Sequence, residues 1–286
     1  MNNNASDSAY PLITVIVAVF NGANTLQQCI DSVAKQTYFN KELIIIDGNS
    51  QDGTIEILKF NNDKINYWIS EPDTGVYNAW NKGVEKAKGE WICFLGADDF
   101  FLEDDGLEKL ITKLQDIPSE VRIAYTKVML FGADDNPLFP VGERWENAKG
   151  NFMKGLCLPH QGVMHRRSLF ERNGKFDESF RIGGDYEIML RELKSAEAMF
   201  IPDIIVTAMR PGGLSSNPFS AVEAMQDIRR AQKKHGQYWP SFFWIKAMIR
   251  VYIRLILWKL IGEKRTRKFL DFSRRIKGQP AYWTRT

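Results

Sequence analysis

Four apolar runs punctuate the first hundred residues, and each is closed by Gly, Asn, Asp or Pro. LITVIVAVF (12–20) stops on Asn21-Gly22, and ELIII (42–46) stops on Asp47-Gly48-Asn49-Ser50. A weaker run at 65–70 precedes Glu71-Pro72-Asp73, and Trp91-Ile92-Cys93-Phe94-Leu95 ends on Gly96-Ala97-Asp98-Asp99. Unbroken runs of this length, rich in β-branched residues, predict strands buried on both faces, as in a parallel sheet. The intervening segments have helical spacing. Leu26, Ile30 and Val33 follow the cap candidates Asn24 and Thr25, and further helices are expected over about 55–60 and 74–88. A β-α-β-α-β-α-β order predicts a largely parallel sheet with right-handed crossovers and a ligand crevice beyond the carboxyl ends of its strands. Farther on, Gly162-Val163-Met164-His165 is strand-like, and Ile188, Met189, Leu190 and Leu193 form an amphipathic helical run.

The crevice prediction gives Asp98 and Asp99 their interest. Two carboxylates at a strand end are the hard oxygen donors that Mg²⁺ or Mn²⁺ prefers, with substrate phosphates completing the shell. A solvated acidic turn is the alternative. No G-x-G-x-x-G follows the first strand and no G-x-x-x-x-G-K-[ST] occurs, so neither common glycine phosphate loop is present.

Composition changes the picture in one respect. The 286 residues, 44% hydrophobic and 26% charged, suit one large domain or a domain with an appendage. Cys29, Cys93 and Cys157 are too scattered for a disulfide framework or zinc site, which points to a reducing, cytosolic compartment. Residues 1–9 carry no signal-peptide pattern and are expected to be a disordered lead-in. The net charge of +3 is unevenly spread. From Ala221 onward there are sixteen Lys and Arg against four Asp and Glu, a net of +12, which leaves −9 for residues 1–220. An acidic body with a basic tail implies an anionic surface among its partners.

Four ordered blocks carry a family resemblance. TVIVAVFNGANTLQQCIDSVAKQT, ELIIIDGNSQDGT, SEPDTGVYNAWNKGVEKAKGEWICFLGADD and GGDYEIMLR, spread over about residues 11–216, resemble the family 2 glycosyltransferases of the GT-A fold, especially the bacterial surface-polysaccharide branch. The resemblance implies transfer of a sugar from a UDP- or GDP-sugar. Asp99, with Asp98, matches the family's metal motif, and Asp98 is also a candidate for the donor ribose. Asp47 matches the acid that meets the nucleotide base, although Gly48 stands where a second Asp is usual; Asp47 and Asp52 also read as turn formers. Asp73 resembles the acid beside the donor.

Thr74-Gly75-Val76-Tyr77-Asn78 opens a helix whose amides could face the donor. Asn78 replaces a usual Asp, and Lys82 falls on its helix face. Trp80 reads as packing. His160-Gln161 resembles the acceptor-side H-Q block, with a structural His as the alternative, and Arg210 in RPGGLSS resembles the loop over the donor, where it could reach the diphosphate; an incidental Arg in a mobile loop is the alternative. Asp185 matches the catalytic base at a helix start, with Gly184 replacing the usual preceding acid. Arg191 on the same helix could orient Asp185 or be solvated. One base without a covalent nucleophile implies inversion.

Within residues 239–261, Lys246, Arg250, Arg254 and Lys259 interrupt an aromatic and apolar segment. Charges at nearly every turn exclude a transmembrane helix. An in-plane amphipathic helix is expected, its cations on one side and its apolar residues on the other, strengthened by the basic run 264–277; packing against the body is the alternative. A nucleic-acid partner is not expected, for lack of a recognisable basic groove.

The reading is an α/β, GT-A-like (Rossmann-like) mostly parallel sheet over 10–220, with a donor half (10–100) and an acceptor half (101–220), followed by a basic helical tail (221–286). It implies an inverting, Mn²⁺- or Mg²⁺-dependent transferase acting on a lipid-linked saccharide, peripheral on the inner face of the cytoplasmic membrane. A non-catalytic sugar-nucleotide or glycan-binding module is the alternative. A nucleotidyltransferase lacks its phosphate loop.

Overall fold

In a computed structural model, residues 10–211, 213 and 219–286 are described. The expected lead-in and most of the RPGGLSS loop lie outside them. The first half follows the predicted order: β1 (Ile13–Val19), α1 (Leu26–Ala34), β2 (Lys41–Asp47), α2 (Thr54–Phe60), β3 (Tyr67–Ser70), α3 (Val76–Lys86) and β4 (Trp91–Gly96). Strands β3, β2, β1 and β4 lie side by side and parallel. Alternation along the buried strands feeds two cores. Ile13, Val15 and Val17 pack with α1 residues Leu26, Ile30 and Val33 on one face. Ile16, Ile44, Ile92 and Phe94 pack on the other face with the start of α3. Side chains that alternate across a strand must both be apolar when both faces are covered, which is why these runs lack polar breaks.

The second half comprises β5 (Phe100–Phe101), α4 (Gly106–Leu114), β6 (Ile123–Phe131), β7 (Pro137–Val141), α5 (Trp145–Phe152), a 3₁₀ turn at His160–Gly162, β8 (Val163–Arg166), α6 (Arg167–Asn173), α7 (Gly184–Leu193) and β9 (Met199–Met209). The sheet continues from β4 through β8, β6 and β9 to β5, with β7 paired to β6. It is parallel over its first four strands and mixed beyond: β8 runs antiparallel to both β4 and β6, whereas β9 runs parallel to β6.

The basic tail forms α8 (Ser220–Lys234), α9 (Phe242–Ile261) and α10 (Glu263–Ile276). Helix α8 lies on the tail side of the expected boundary yet packs on α7, placing Ala231 in the second core. Helix α9 departs from the expected two-sided pattern. Its apolar residues occupy two sides, one turned inward and one exposed, and its cations do not share one side. Arg254 is drawn 5.0 Å above the Trp283 ring, while Lys246, Arg250 and Lys259 are exposed. The chain then returns to the body: Ala133 N–H donates to the Arg285 carbonyl at 2.7 Å, and Arg274 lies over the Phe139 ring of β7.

Candidate active site

Strand register sets the first wall of the site. Val19 pairs with Asp47, Asp47 with Ser70, and Ala18 with Gly96, so the carboxyl ends of four parallel strands form one edge. Loops leaving this edge are tied to one another. Asn21 N–H donates to Ser50 Oγ, Gly22 N–H to Thr54 Oγ1, and Ala23 N–H to Asp52 Oδ2.

The acids expected along this edge divide by exposure. Asp47, expected at the nucleotide base, has no exposed surface. It accepts hydrogen bonds from the Ser50 amide at 3.0 Å, from the Ser50 hydroxyl and from Ser70 Oγ at 2.5 Å, so in this structure it organises the wall behind the edge. Asp73 is half-buried and caps the turn into α3 by accepting from Gly75 N–H at 2.9 Å. A Cβ at Gly48 would stand 2.7 Å from Asp73 Oδ2, so the glycine in the place of a second Asp lets Asp73 lean over the β2 loop.

Asp98 and Asp99 close β4. Asp99 is buried, accepting from Gly96 N–H at 3.0 Å and Arg210 N–H at 3.3 Å; Asp98 is half-buried. Desolvation raises both carboxyls above the usual carboxylate range, and the Asp98 charge raises Asp99 further. A Gln161 side-chain hydrogen bond opposes the rise at Asp99. Two crowded, desolvated oxygen donors fit Mg²⁺ or Mn²⁺, whose charge would relieve both. Among the described residues no group of three or more His, Cys, Asp and Glu is placed to hold a metal, so a cation at this pair would take its remaining oxygens from water or substrate.

Arg210 is close by, but its guanidinium is engaged. It makes two bonds to the Asp135 carboxylate (2.7 and 2.9 Å), one to Gln28 Oε1 and one to the Asp98 carbonyl, and it stacks on Phe100. Here it buttresses the acidic turn instead of reaching outward to a diphosphate. Asn78 and Lys82 are committed as well. Asn78 donates to Glu178 at 2.8 Å, while Lys82 pairs with Glu71 at 2.7 Å and donates to the Pro72 carbonyl. These two side chains pin the loops on either side of α3, and neither projects freely toward a donor.

The H-Q pair splits. His160 is buried among Trp80, Phe94 and His165, at centroid distances of 4.9, 5.5 and 5.1 Å. Burial pushes its pKa well below the ordinary value, so it is a neutral core ring rather than a group facing the cleft. Trp80 packs in the same cluster, as its apolar surroundings predict. Gln161 instead reaches Asp99.

Asp185 lies in the first turn of α7 and is partly exposed. Burial pushes its pKa up to about 6, against opposing hydrogen bonds from Tyr186 N–H (2.8 Å), the Cys157 thiol (3.7 Å) and Tyr77 O–H (3.4 Å). Tyr77 also donates to the Ile182 carbonyl. A Cβ at Gly184 would meet the Tyr77 ring at 2.8 Å, so the glycine in place of the usual acid makes room for that ring. The segment is gripped from its other side by Asp227 of α8. One oxygen of Asp227 accepts the consecutive amides of Arg181, Ile182 and Gly183 at 3.0, 3.0 and 3.2 Å. Glu187, two residues after Asp185, has no exposed surface and is paired with Arg191, Lys234 and His235. Arg191 therefore serves Glu187 and the Asn173 and Lys175 carbonyls, not Asp185.

An acidic metal-type turn at a parallel strand end, with a near-neutral carboxyl at a helix start in the second half, is the arrangement the sequence blocks implied. The model of glycosyl transferase family 2 matches residues 14–168. The chain belongs to this family. Among relatives of this family 2 chain, a PGL/p-HBAD biosynthesis glycosyltransferase of Mycobacterium tuberculosis is 29% identical over 73% of this chain and 80% of its own length. An uncharacterized glycosyltransferase of the same species is 31% identical over 80% and 86%. Among solved structures, S. aureus TarS residues 1–349 in complex with UDP-GlcNAc superposes with a TM-score of 0.62 at 16% identity, over 87% of this chain and 73% of that one. The chain spans 39% of the longer TarS structure. A Pyrobaculum calidifontis mannosyltransferase in complex with GDP-Man and Mn²⁺ gives a TM-score of 0.61 at 18% identity, over 92% and 76%. These structures confirm the GT-A-like α/β fold.

Sequence reasoning missed Tyr77, Cys157 and Asp227. Tyr77 sits inside a quoted block but has no motif role of its own. Cys157 and Asp227 reach the segment around Asp185 across 28 and 44–46 residues, a separation that leaves no local signal.

Proposed function

We propose that this family 2 enzyme transfers a sugar, with inversion, from a UDP- or GDP-sugar to a hydroxyl of a lipid-linked saccharide. The observation that carries the reading is Asp185: a partly exposed carboxyl at a helix start, raised to about 6 and held by Tyr77, Cys157 and the Tyr186 amide. Such a group is ionised at neutral pH yet basic enough to take a proton from an attacking hydroxyl. Glu187, the other acid of this helix start, is buried in ion pairs and is not available as a nucleophile, which supports single displacement.

In this reading Asp99 and Asp98, with Gln161 bonded to Asp99, hold Mg²⁺ or Mn²⁺ at the donor diphosphate. The metal supplies charge neutralisation for the departing nucleotide diphosphate. Asp73 and the opening of α3 border the donor, Asp47 keeps the β2 loop in place, and Arg210 sets the acidic turn. Tyr77 links the two halves, because it begins the donor-side helix and bonds the segment carrying the base. The solved relatives bound to UDP-GlcNAc and to GDP-Man with Mn²⁺ support a nucleotide-sugar donor and a divalent metal. The PGL/p-HBAD relatives and the basic tail support an acceptor presented at the inner face of the cytoplasmic membrane.

The test is nucleotide diphosphate release from a panel of UDP- and GDP-sugars, with and without Mn²⁺, using membrane lipid extract as acceptor. Metal-dependent release from one donor is expected, and NMR of the product should show the inverted anomer. Release unaffected by chelation, or a retained anomer, contradicts the reading.

A further inference from the structure

Helix α9 carries a surface that the catalytic reading leaves unused. Ile245, Ile249, Tyr252, Ile253, Ile256 and Leu260 recur at three- and four-residue spacing and are 40, 53, 49, 51, 55 and 75% exposed. This is one continuous apolar stripe along a 20-residue helix, and such a contiguous exposed patch marks a contact site. The opposite side of the helix is already occupied. Trp244 Nε1–H donates to the Met225 carbonyl of α8 at 2.9 Å, Arg254 lies on Trp283, and Arg267 of α10 lies over Trp258 at 5.6 Å.

We propose that this outward stripe of α9 docks in the plane of an anionic phospholipid bilayer. The inference deepens the membrane-presented acceptor of the proposed function by naming the face that binds and how it is joined to the base. Charge selects the occupant. Helical geometry puts Lys246 and Arg250 along one flank of the stripe and Lys259 along the other, all exposed, and α9 contains no acid. Helix α10 repeats the pattern, with exposed Phe269, Phe272 and Ile276 among exposed Arg265, Lys268 and Arg275. Its two acids are spent: Glu263 pairs with Arg267, and buried Asp271 accepts the Tyr282, Trp283 and Thr284 amides. An apolar strip flanked by cations fits acyl chains below phosphate headgroups. A second copy of the same face would set the same cation rows against each other. No helix among the described residues is long and apolar enough to cross a membrane, so α9 lies in the interface.

The docking face is also mechanically connected to the base. Trp244 grips Met225, and two residues farther along α8 Asp227 holds the 181–183 amides that lead into Asp185. Docking therefore fixes Asp185 at a set height and orientation above the lipid surface, where an acceptor saccharide emerges.

The test is co-sedimentation of the full chain with phosphatidylcholine vesicles with and without phosphatidylglycerol, at low and high salt. Two variants are compared with wild type: I249E/I253E, which interrupts the stripe, and K246E/R250E, which reverses one flank. Both change exposed side chains, so circular dichroism and metal-dependent donor hydrolysis in detergent-free buffer should match wild type. Wild type is expected to pellet with the anionic vesicles, less so at high salt, and each variant to bind at least about tenfold more weakly. Wild type remaining in the supernatant, or I249E/I253E pelleting equally well, overturns the proposal. So does a wild-type dimer that I249E/I253E converts to monomer without loss of vesicle binding. Vesicle binding without donor turnover would sustain the docking surface and sink the enzymatic reading, so the two failures are distinguishable.

Discussion

At the scale of single residues, Asp185 has the most consequential environment. Its pKa of about 6, against an ordinary 3.8, means that the folded chain holds this proton more tightly than the unfolded chain does. The associated stability is present below about 4 and is lost as pH rises through about 6. Transfer runs the other way, because only the ionised base accepts a proton. The acid limb of kcat/KM against pH should therefore have its midpoint near 6. Cys157→Ala, which removes a hydrogen bond that lowers this pKa, should move the midpoint upward; an unchanged midpoint would exclude the thiol contact. The same penalty predicts that Asp185→Asn melts at a higher temperature than wild type at pH 7.5, as expected where an active site stores instability. At Gly48, introducing Asp would set a Cβ 2.7 Å from the Asp73 carboxylate. Gly48→Asp, which sets a second carboxylate beside Asp73, should weaken donor binding severalfold in a calorimetric titration, with chemistry spared once donor is saturating. At this scale Asp98 and Asp99 stood out because they end a buried apolar strand, whereas Asp185 stood out only through its match to a family block. His160 could be read either as a structural ring or as one facing the cleft, and the surrounding aromatic rings, contributed from distant segments, draw it into the core.

At the scale of elements, the donor half could be read closely and the second half could not. Strands β1, β2 and β4 are buried on both faces and announce themselves as apolar runs, and β3 falls within its weaker predicted run. Strand β9 conceals itself. Pro202 and Asp203 lie within it, and its register against β6 jumps from the Thr126–Ile201 pair to the Lys127–Ile205 pair, an irregularity that accommodates them. Strand β6 lies inside the sheet, but Thr126 and Lys127 interrupt its apolar run, and β7, paired to its end, is exposed at Pro137 and Pro140. Helix α8 read as the beginning of a tail but packs on α7 of the body. Its Asp227 accepts three consecutive amides in front of α7, and Asp227→Ala would leave the part-buried Ile182 and Gly183 donors without that acceptor, at about 1 kcal/mol or more. The expected result is a kcat at least about tenfold lower with donor affinity unchanged, because the acids at the strand edge are untouched. Equal losses in donor binding and kcat would indicate general disruption instead.

At the scale of the whole molecule, α3 joins the strand-end turn to the Asp185 segment. It begins beside the Asp73 cap, sends Tyr77 to the Ile182 carbonyl before Asp185 and ties Asn78 and Asn81 to Glu178, so the proposed donor edge and proposed base share one helix. Under the proposed function the opposed charges of body and tail have distinct uses: the crowded carboxylates would face a metal and diphosphate, and the cations and exposed apolar residues would face lipid. The measurement that tests the central claim most directly compares wild type with Asp185→Asn under saturating Mn²⁺ and the donor identified by the panel. Donor affinity is read by calorimetry and turnover by nucleotide diphosphate release in the presence of acceptor. The account predicts equal donor affinity and turnover lower by about 10²–10⁴-fold, the scale of a lost general base. Turnover within a few-fold of wild type, with donor still bound, would contradict it and remove Asp185 from the chemistry.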